Sequence, residues 1–338
     1  MAKQATITEI ARKAGVSIGT VDRVLHHRGG VSSESRRRVQ AILDEVGYKI
    51  HLHTSAVALR KQFRLVVTIP EPGPGTYWDK LLDGVRKAVE EYSDIPITLL
   101  LLPYDQGDPA SCREVFVGIP ETEADAVIIG PTFDAETHAL CAALDAAGTP
   151  YVFVDTAFPD TRPLSSFTAD QPAGGALVAK LLHHIVPPGK SIVEVHPNLG
   201  GGAKAQNAVQ RRRGFLRYFA DCAPERKVLE SERDYLGADV GGVCVLNSRG
   251  SRIADAILRE GRTDIKVVAF DLTDENLRCL REGSIFALVC QRPERQGFLS
   301  VTTLLEYLLY HHATLQQHVL MPLDIVLKEN LDYYFQKL

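Results

Sequence analysis

The stretch VSIGTVDRVLHHRGGVS, residues 16–32, is short, amphipathic and bracketed by serines. Ser17 is placed to cap a helix over residues 18–25, with Val21, Val24 and Leu25 on its apolar side. A helix of two turns is not stable alone in water, so packing must hold it. Its other side, with Ile18, Gly19, Asp22 and Arg23, is left facing outward. Upstream, Thr6-Ile-Thr-Glu9 is a capping box. It opens a helix to about Ala14 with Ile7, Ile10, Ala11 and Ala14 on one face, and Gly15 ends it. Downstream, HHRGG reads as a loop and Ser32 caps a third helix to about Val46. Val39, Ile42, Leu43 and Val46 point inward there, and Gly47 stops it.

Two helices joined by a tight glycine turn and braced by a third make a helix-turn-helix. The outer face of the second helix is then free to enter a major groove. Arg23 can contact a guanine through two hydrogen bonds. Ser17, Thr20, Ser35 and Arg36 are placed to bind phosphates. Charge points the same way. Residues 1–62 hold eleven Lys and Arg against five Asp and Glu, while the remainder holds 27 against 37. A basic head on an acidic body suggests that only the head meets a polyanion.

The whole chain has 338 residues, 45% hydrophobic and 24% charged, as expected of two or three globular domains. No apolar run reaches 18 residues, so no membrane span is expected. The first fifteen residues lack an apolar core and a cleavage site, so no secretory leader is expected. Six cysteines are scattered without a CxxC pair, which suits reduced thiols and a cytoplasmic setting.

From residue 64 onward, near-continuous apolar strands alternate with helices: RLVVTIP, then YWDKLLDGVRKAVEEY, and so on to the long helix ERQGFLSVTTLLEYLLYHH. This is the pattern of parallel sheets covered on both faces. About 275 residues are too many for one comfortable core, so two α/β lobes are expected. Ligands of such sheets bind beyond the carboxyl ends of the strands. Asp155 follows YVFV, Asn247 follows VCVL, Asp271 follows VVAF and Gln291 follows ALVC. Four such groups at equivalent places suit a polyhydroxylated ligand.

The head, ITEIARKAGVSIGTVDRVLHHRGGVSSESRRRVQAILDEVGY, resembles that of the LacI/GalR family of transcription regulators nearly position by position. The motifs are A-x-x-A-G-V-S, T-V-x-R-V-L, V-S, a basic cluster and G-Y. The resemblance implies that Ile18, Gly19 and Arg23 read the operator. Asp22 stands where the family usually has serine. Thr6, Ser32 and Tyr48 join the expected DNA contacts. It implies domains over 1–48 (head), 49–62 (hinge helix or linker) and 63–338 (sensor). In the hinge a paired leucine wedges into the minor groove. That position falls on Val57, with Leu59 two residues on, and Ile50-His51 replace the family's Pro-Asn.

The body resembles the periplasmic sugar-binding fold attached to these regulators, ribose-binding type. The matching blocks are PGTYWDKLLDGVRKA, PYVFVD, FTADQPAGG, QRRRGF, VLNSRG, AFD and VCQRP. The resemblance implies that Tyr77 and Trp78 stack on a sugar ring. Asp155, Arg211, Asn247, Asp271 and Gln291 would hydrogen-bond it, and Asp170 would lie near the cleft. It implies crossings between lobes near 163, 292 and 323. One lobe then comprises about 63–163 and 293–322, and the other 164–292 and 323–338. The expected protein is a homodimeric repressor that binds operator DNA and a sugar-like effector, without enzyme activity, cofactor or metal. An activator, a co-repressor-dependent regulator or a plain sugar-binding module are the alternatives. GPG at 73–75 and LGGGAKAQN at 199–207 lack phosphate-loop spacing, and adjacent histidine pairs do not share a helix face.

Overall fold

The computed structural model describes residues 7–25, 30–45, 62–195, 206–231, 237–310 and 317–334. The head has three helices, α1 (Ile7–Ala14), α2 (Ile18–Leu25) and α3 (Ser33–Glu45). Ile10, Ala11, Ala14, Val21, Val24, Val39 and Leu43 form its core, with Val16, Val31 and Ile42 packed against them. Gly15 takes φ 64°, a left-handed conformation that glycine adopts without a Cβ penalty. Both serine caps form. The Thr20 N–H donates to Ser17 Oγ at 3.1 Å and the Ser35 N–H to Ser32 Oγ at 3.2 Å.

In the body, β1 (Phe63–Thr68), α4 (Tyr77–Glu91), β2 (Ile97–Leu101), α5 (Pro109–Gly118), β3 (Ala126–Ile129), α6 (Asp134–Ala147), β4 (Tyr151–Asp155) and β5 (Ser165–Ala169) come first. Next are α7 (Gln171–Ile185), β6 (Ser191–Val195), α8 (Gln206–Cys222), β7 (Val228–Ser231), β8 (Val240–Val245), α9 (Gly250–Arg259) and β9 (Lys266–Phe270). The last are α10 (Asp274–Glu282), β10 (Ala287–Cys290), α11 (Pro293–Tyr310), β11 (His318–Met321), β12 (Asp324–Val326) and α12 (Leu331–Tyr334). Two six-stranded sheets result, ordered β11-β5-β4-β3-β1-β2 and β12-β10-β9-β8-β6-β7. Every pairing is parallel except β10 with β12. Each sheet is covered by apolar clusters on both faces, which is why its strands read as unbroken apolar runs.

One boundary differs from the sequence expectation. Residues 165–169, SSFTA, form β5 in the first sheet, with Asp155 opposite Thr168. The first crossing therefore lies at Asp170, not near 163, and the first lobe extends to 169. Two buried serines hid this strand. Their polarity is absorbed by pairing, and Ser166 Oγ lies 2.8 Å from His318 Nδ1 on β11. Helices α5 and α8 and strands β11 and β12 were also not read as elements.

Two helix pairs set the lobes' geometry. Gly84 on α4 lies under the Glu294 carbonyl of α11, and Gly297 on α11 under the Leu81 carbonyl of α4. In the second lobe Gly175 on α7 meets the Arg211 carbonyl of α8, and Gly214 on α8 meets the Pro172 carbonyl of α7. A Cβ at any of these four would overlap the facing backbone. A mid-helix glycine costs about 1 kcal/mol against alanine, and here it permits backbone contact. Both pairs hold groups of the site described next.

Candidate functional sites

On the head, α2 turns Ile18, Gly19 and Arg23 outward, and Ile18 is 53% exposed although large and apolar. Ser17 and Thr20 share a 2.9 Å hydroxyl contact at the N-terminus of α2, and Ser32 Oγ donates to Ser35 Oγ at 3.0 Å at that of α3. Helix N-termini with hydroxyls attract phosphate. The Asp22 side chain lies outside the described residues, as do Thr6, Tyr48, Val57 and Leu59.

Between the lobes lies a cavity of about 530 Å³. Tyr77, Trp78, Asp155, Arg211, Asn247, Asp271 and Gln291 all line it. Tyr77 and Trp78 come from the start of α4, and their rings stand nearly perpendicular (87°) with centroids 5.1 Å apart. They therefore cannot offer two parallel faces to one sugar ring. Tyr77 is mostly core, and Trp78 is half-buried. Asp170 does not line the cavity. Its carboxylate caps α7 by accepting the Ala173 N–H at 2.9 Å, and the residue is exposed. An aspartate one residue before a helix beginning Gln-Pro is explained by capping alone.

Asp155 ends β4 and Asp271 follows β9, both in left-handed backbone with φ 66° and 67°. Such strain in a residue other than glycine costs free energy and is concentrated at functional sites. It turns both carboxyls off their strands into the cleft. Arg211, 3% exposed, is immobilised from three sides. Its Nε donates to Gln171 Oε1 at 2.6 Å and its Nη1 to the Leu246 carbonyl at 3.0 Å. Its guanidinium carbon sits 3.9 Å over the Phe270 ring. The chain of bonds continues as Gln171 donates to Gln291 (3.3 Å) and Gln291 to Asp271 (3.2 Å).

Three further residues were not found by reading the sequence. Gln296, fully buried on α11, accepts the Asp155 N–H at 2.9 Å and donates to the Gln291 carbonyl at 3.0 Å. It fastens one strand end to the second crossing. Asn276, on α10, donates to the carbonyls of Ser248, Phe270 and Asp271 and so ties two strand-end loops together. Asn207 spans the cleft: its Nδ2 donates to Asp155 Oδ2 at 2.7 Å, and its Oδ1 accepts from Thr156 at 3.0 Å. A polar amide inside an apolar helix face was the signal for Gln296. Nothing local marks Asn207.

The lobes are in contact around this cavity. Lys80 Nζ lies 3.0 Å from Asp274 Oδ1, and the Asp274 N–H donates to the Gly75 carbonyl at 3.0 Å. Gly75 has φ 67°, and a Cβ there would overlap the Asp274 carboxylate. Glycine at this position thus spares both the backbone strain and a displacement of the Asp274 side chain.

Burial dominates the electrostatics. It pushes the Asp155 carboxyl up, opposed by Arg211. It pushes Asp271 from 3.8 to about 7, opposed by Arg211 and reinforced by Asp155. Tyr77 is also raised by burial and then by both carboxylates, and its hydroxyl has no well-formed hydrogen bond. A carboxyl with a raised folded-state pKa keeps its proton at pH values where the unfolded chain has lost it. Its contribution to stability is therefore full below about pH 4 and is lost as pH rises toward 7. The expected span is on the order of 4 kcal/mol at most. Melting temperatures of wild type and Asp271→Asn at pH 4.5–8 check this: the difference between them should shift in the variant's favour as pH rises. A constant difference would show that Asp271 keeps an ordinary pKa.

A helix-turn-helix head joined to a two-lobed binding fold with a polar interlobe cavity defines a class of protein. Residues 65–310 match the periplasmic binding protein domain, and residues 6–50 match the bacterial regulatory proteins of the lacI family. The chain belongs to the lacI family of bacterial regulatory proteins and carries a periplasmic binding protein domain. It is 25% identical over 179 residues to the HTH-type transcriptional regulator DegA of Bacillus subtilis, covering 52% of this chain and 51% of that one. The chain thus matches about half the length of that relative, and 40% of the catabolite control protein A of Staphylococcus epidermidis. A crystal structure of a candidate LacI transcriptional regulator from Bacteroides fragilis superposes with TM-score 0.75 at 28% identity, covering 81% of this chain and 100% of that one. A carbohydrate transporter solute binding protein from Agrobacterium radiobacter, in complex with D-arabinose, shares the fold at TM-score 0.65 and 21% identity, over 80% of this chain and 96% of that one.

Proposed function

We propose that this chain is a sequence-specific transcription regulator, a repressor, whose operator affinity is set by a sugar-like effector held between the lobes. The observation that carries the reading is one polypeptide with two unlike sites. One is a capped helix with an outward arginine. The other is an interlobe cavity whose polar groups come from both lobes. Asp155 and Asp271 accept from hydroxyls, Asn247 donates, and Trp78 offers a face. Lobe closure on the effector is the event that must reach the head.

The protein works in the cytoplasm as a homodimer, because one head of three short helices makes too few contacts. Two heads about one helical turn apart match a near-palindromic operator. Among the described residues no helix is long and apolar enough to cross a membrane. The cavity serves binding, not turnover. For a tenfold change in occupancy the effector must favour one lobe arrangement by about 1.4 kcal/mol.

A duplex selected from a random pool by the wild-type protein supplies the test. Arg23→Ala is expected to weaken binding to it by about 1–3 kcal/mol. Ligands that raise the melting temperature should lower wild-type operator affinity. Unchanged affinity in Arg23→Ala would remove Arg23 as a base reader, and failure to enrich any duplex would leave only a binding module with an idle head. A ligand that tightens operator binding would reverse the sign of regulation.

A further inference from the structure

The cavity is longer than one sugar ring. On the first lobe its lining runs from Asp155 at the end of β4 to Thr132 after β3, Glu71 after β1 and Gln106 after β2. Those strands are successive neighbours in the sheet, in that order. Adjacent strands lie about 4.8 Å apart, so the lining spans about 14 Å. The segments after β1 and β2 are tied to each other. Pro70 bridges Tyr104, and the Glu71 N–H donates to the Tyr104 carbonyl at 2.9 Å. Volume agrees with length. The cavity holds about 530 Å³. Even at the roughly 30 Å³ that each molecule takes in liquid water, the dozen non-hydrogen atoms of a hexose fill only about 360 Å³. Bonded atoms pack more closely than that, so a single ring leaves a third or more of the space to water.

The two aromatic residues divide this length between them. Tyr77 is buried beside Asp155 and belongs to the inner, acidic end. Trp78 serves the next strand over. The outer edge of its indole lies over Gly130, just past β3, beside Ile69 just past β1. A Cβ at position 130 would stand 2.7 Å from indole Cζ3, so glycine is what lets the ring lie against that strand end. The two rings meet at 87°. Planes at that angle cannot clamp one flat guest, but they suit two linked rings turned against each other. The polar groups divide in the same way. Asp271, Gln291 and Arg211 at the inner end belong to one bonded chain. At the outer end the Glu71 and Gln106 side chains are exposed and engage nothing among the described residues, so both can meet hydroxyls.

Resting on the reading of this cleft as a polyol site, we infer that the effector is a disaccharide. Its inner ring meets Asp155 and Asp271, and its outer ring lies on Trp78 with hydroxyls toward Glu71 and Gln106. The negative face of an aromatic ring takes the C–H side of a pyranose and leaves the hydroxyls to side chains around its edge. A nucleoside is the other guest with two ring systems, and would set its base on Trp78. The outer end suits it less, because that end offers partners for hydroxyls and no second aromatic face. Among the described residues only Tyr77 and Trp78 bring aromatic rings to the cavity.

Calorimetric titration of the full-length protein tests this. The compounds are maltose, cellobiose, lactose and melibiose, their component sugars glucose and galactose, and adenosine. At least one disaccharide should bind tenfold or more tightly than either of its component sugars. Trp78→Ala and Gln106→Ala should each cut that ratio at least fivefold. Gln106 is exposed in a loop, so its variant carries the test even if Trp78→Ala does not fold. Asp271→Asn should weaken disaccharide and monosaccharide alike, leaving the ratio within about twofold. Monosaccharides that bind as tightly as every disaccharide overturn the inference but keep the polyol reading, as does a ratio that survives the outer substitutions. Adenosine binding more tightly than every saccharide also overturns the inference. Failure of every compound to bind overturns the inference and the polyol reading together.

Discussion

Gly214→Ala is expected to destabilise the protein by about 3 kcal/mol or more. The new Cβ would overlap the Pro172 carbonyl across the α7–α8 crossing, and backbone cannot rotate away as a side chain can. The helices would have to separate. The reciprocal contact between Gly175 and the Arg211 carbonyl would loosen with them. Gly118→Ala is the control, with φ −79° and no atom within 4 Å of its added Cβ, and should be near neutral. Urea unfolding of the two variants, followed by circular dichroism, gives the comparison. Equal midpoints for both would mean that α7 and α8 are not in backbone contact. If the fold survives at low temperature, effector binding should still be weakened, because α8 carries both Asn207 and Arg211.

Arg211→Met should have an effect of similar size for a different reason. The guanidinium satisfies Gln171 Oε1 and the Leu246 carbonyl, packs on Phe270, and opposes the burial cost of two carboxylates. Removing one partner from a buried charged set costs roughly 3–5 kcal/mol. The sign of its pH dependence distinguishes this from lost packing. Without the cation, both carboxyls move further up, so the penalty for ionising them grows with pH. The stability loss measured by urea should be larger at pH 8 than at pH 5. A loss equal at the two pH values would leave only packing. Effector binding should fall to background in the same variant even where it folds, since the cavity then keeps its acceptors and loses the cation that orients them.

Much of the site was legible because strand-end positions have few neighbours to interpret. Asp155, Asn247, Asp271 and Gln291 each follow an apolar strand, and a parallel sheet covered on both faces leaves one place for polar residues of that kind. The resemblance placed Asp170 near the cleft, and there the reading failed because capping and ligation ask for the same residue type. It failed again at SSFTA, where a strand hides its polarity in pairing. Gln296 and Asn276 escaped because each bonds backbone groups, and one partner of each, the Asp155 N–H and the Ser248 carbonyl, lies far along the chain.

Local chemistry and periodicity alone determined the three-helix head, its caps and its outward arginine. They also determined the alternating strands and helices of the body, because these features depend on neighbours within a few residues. Tertiary structure decided what depends on distant segments meeting. It set the left-handed turns that aim two aspartates at each other's lobe, and the four glycines that bring helix backbones into contact. It also set Gly75 beside Asp274, where a Cβ would push on that carboxylate. Sequence spacing cannot show these, since they are questions of which atoms arrive within a few ångströms once the chain has folded.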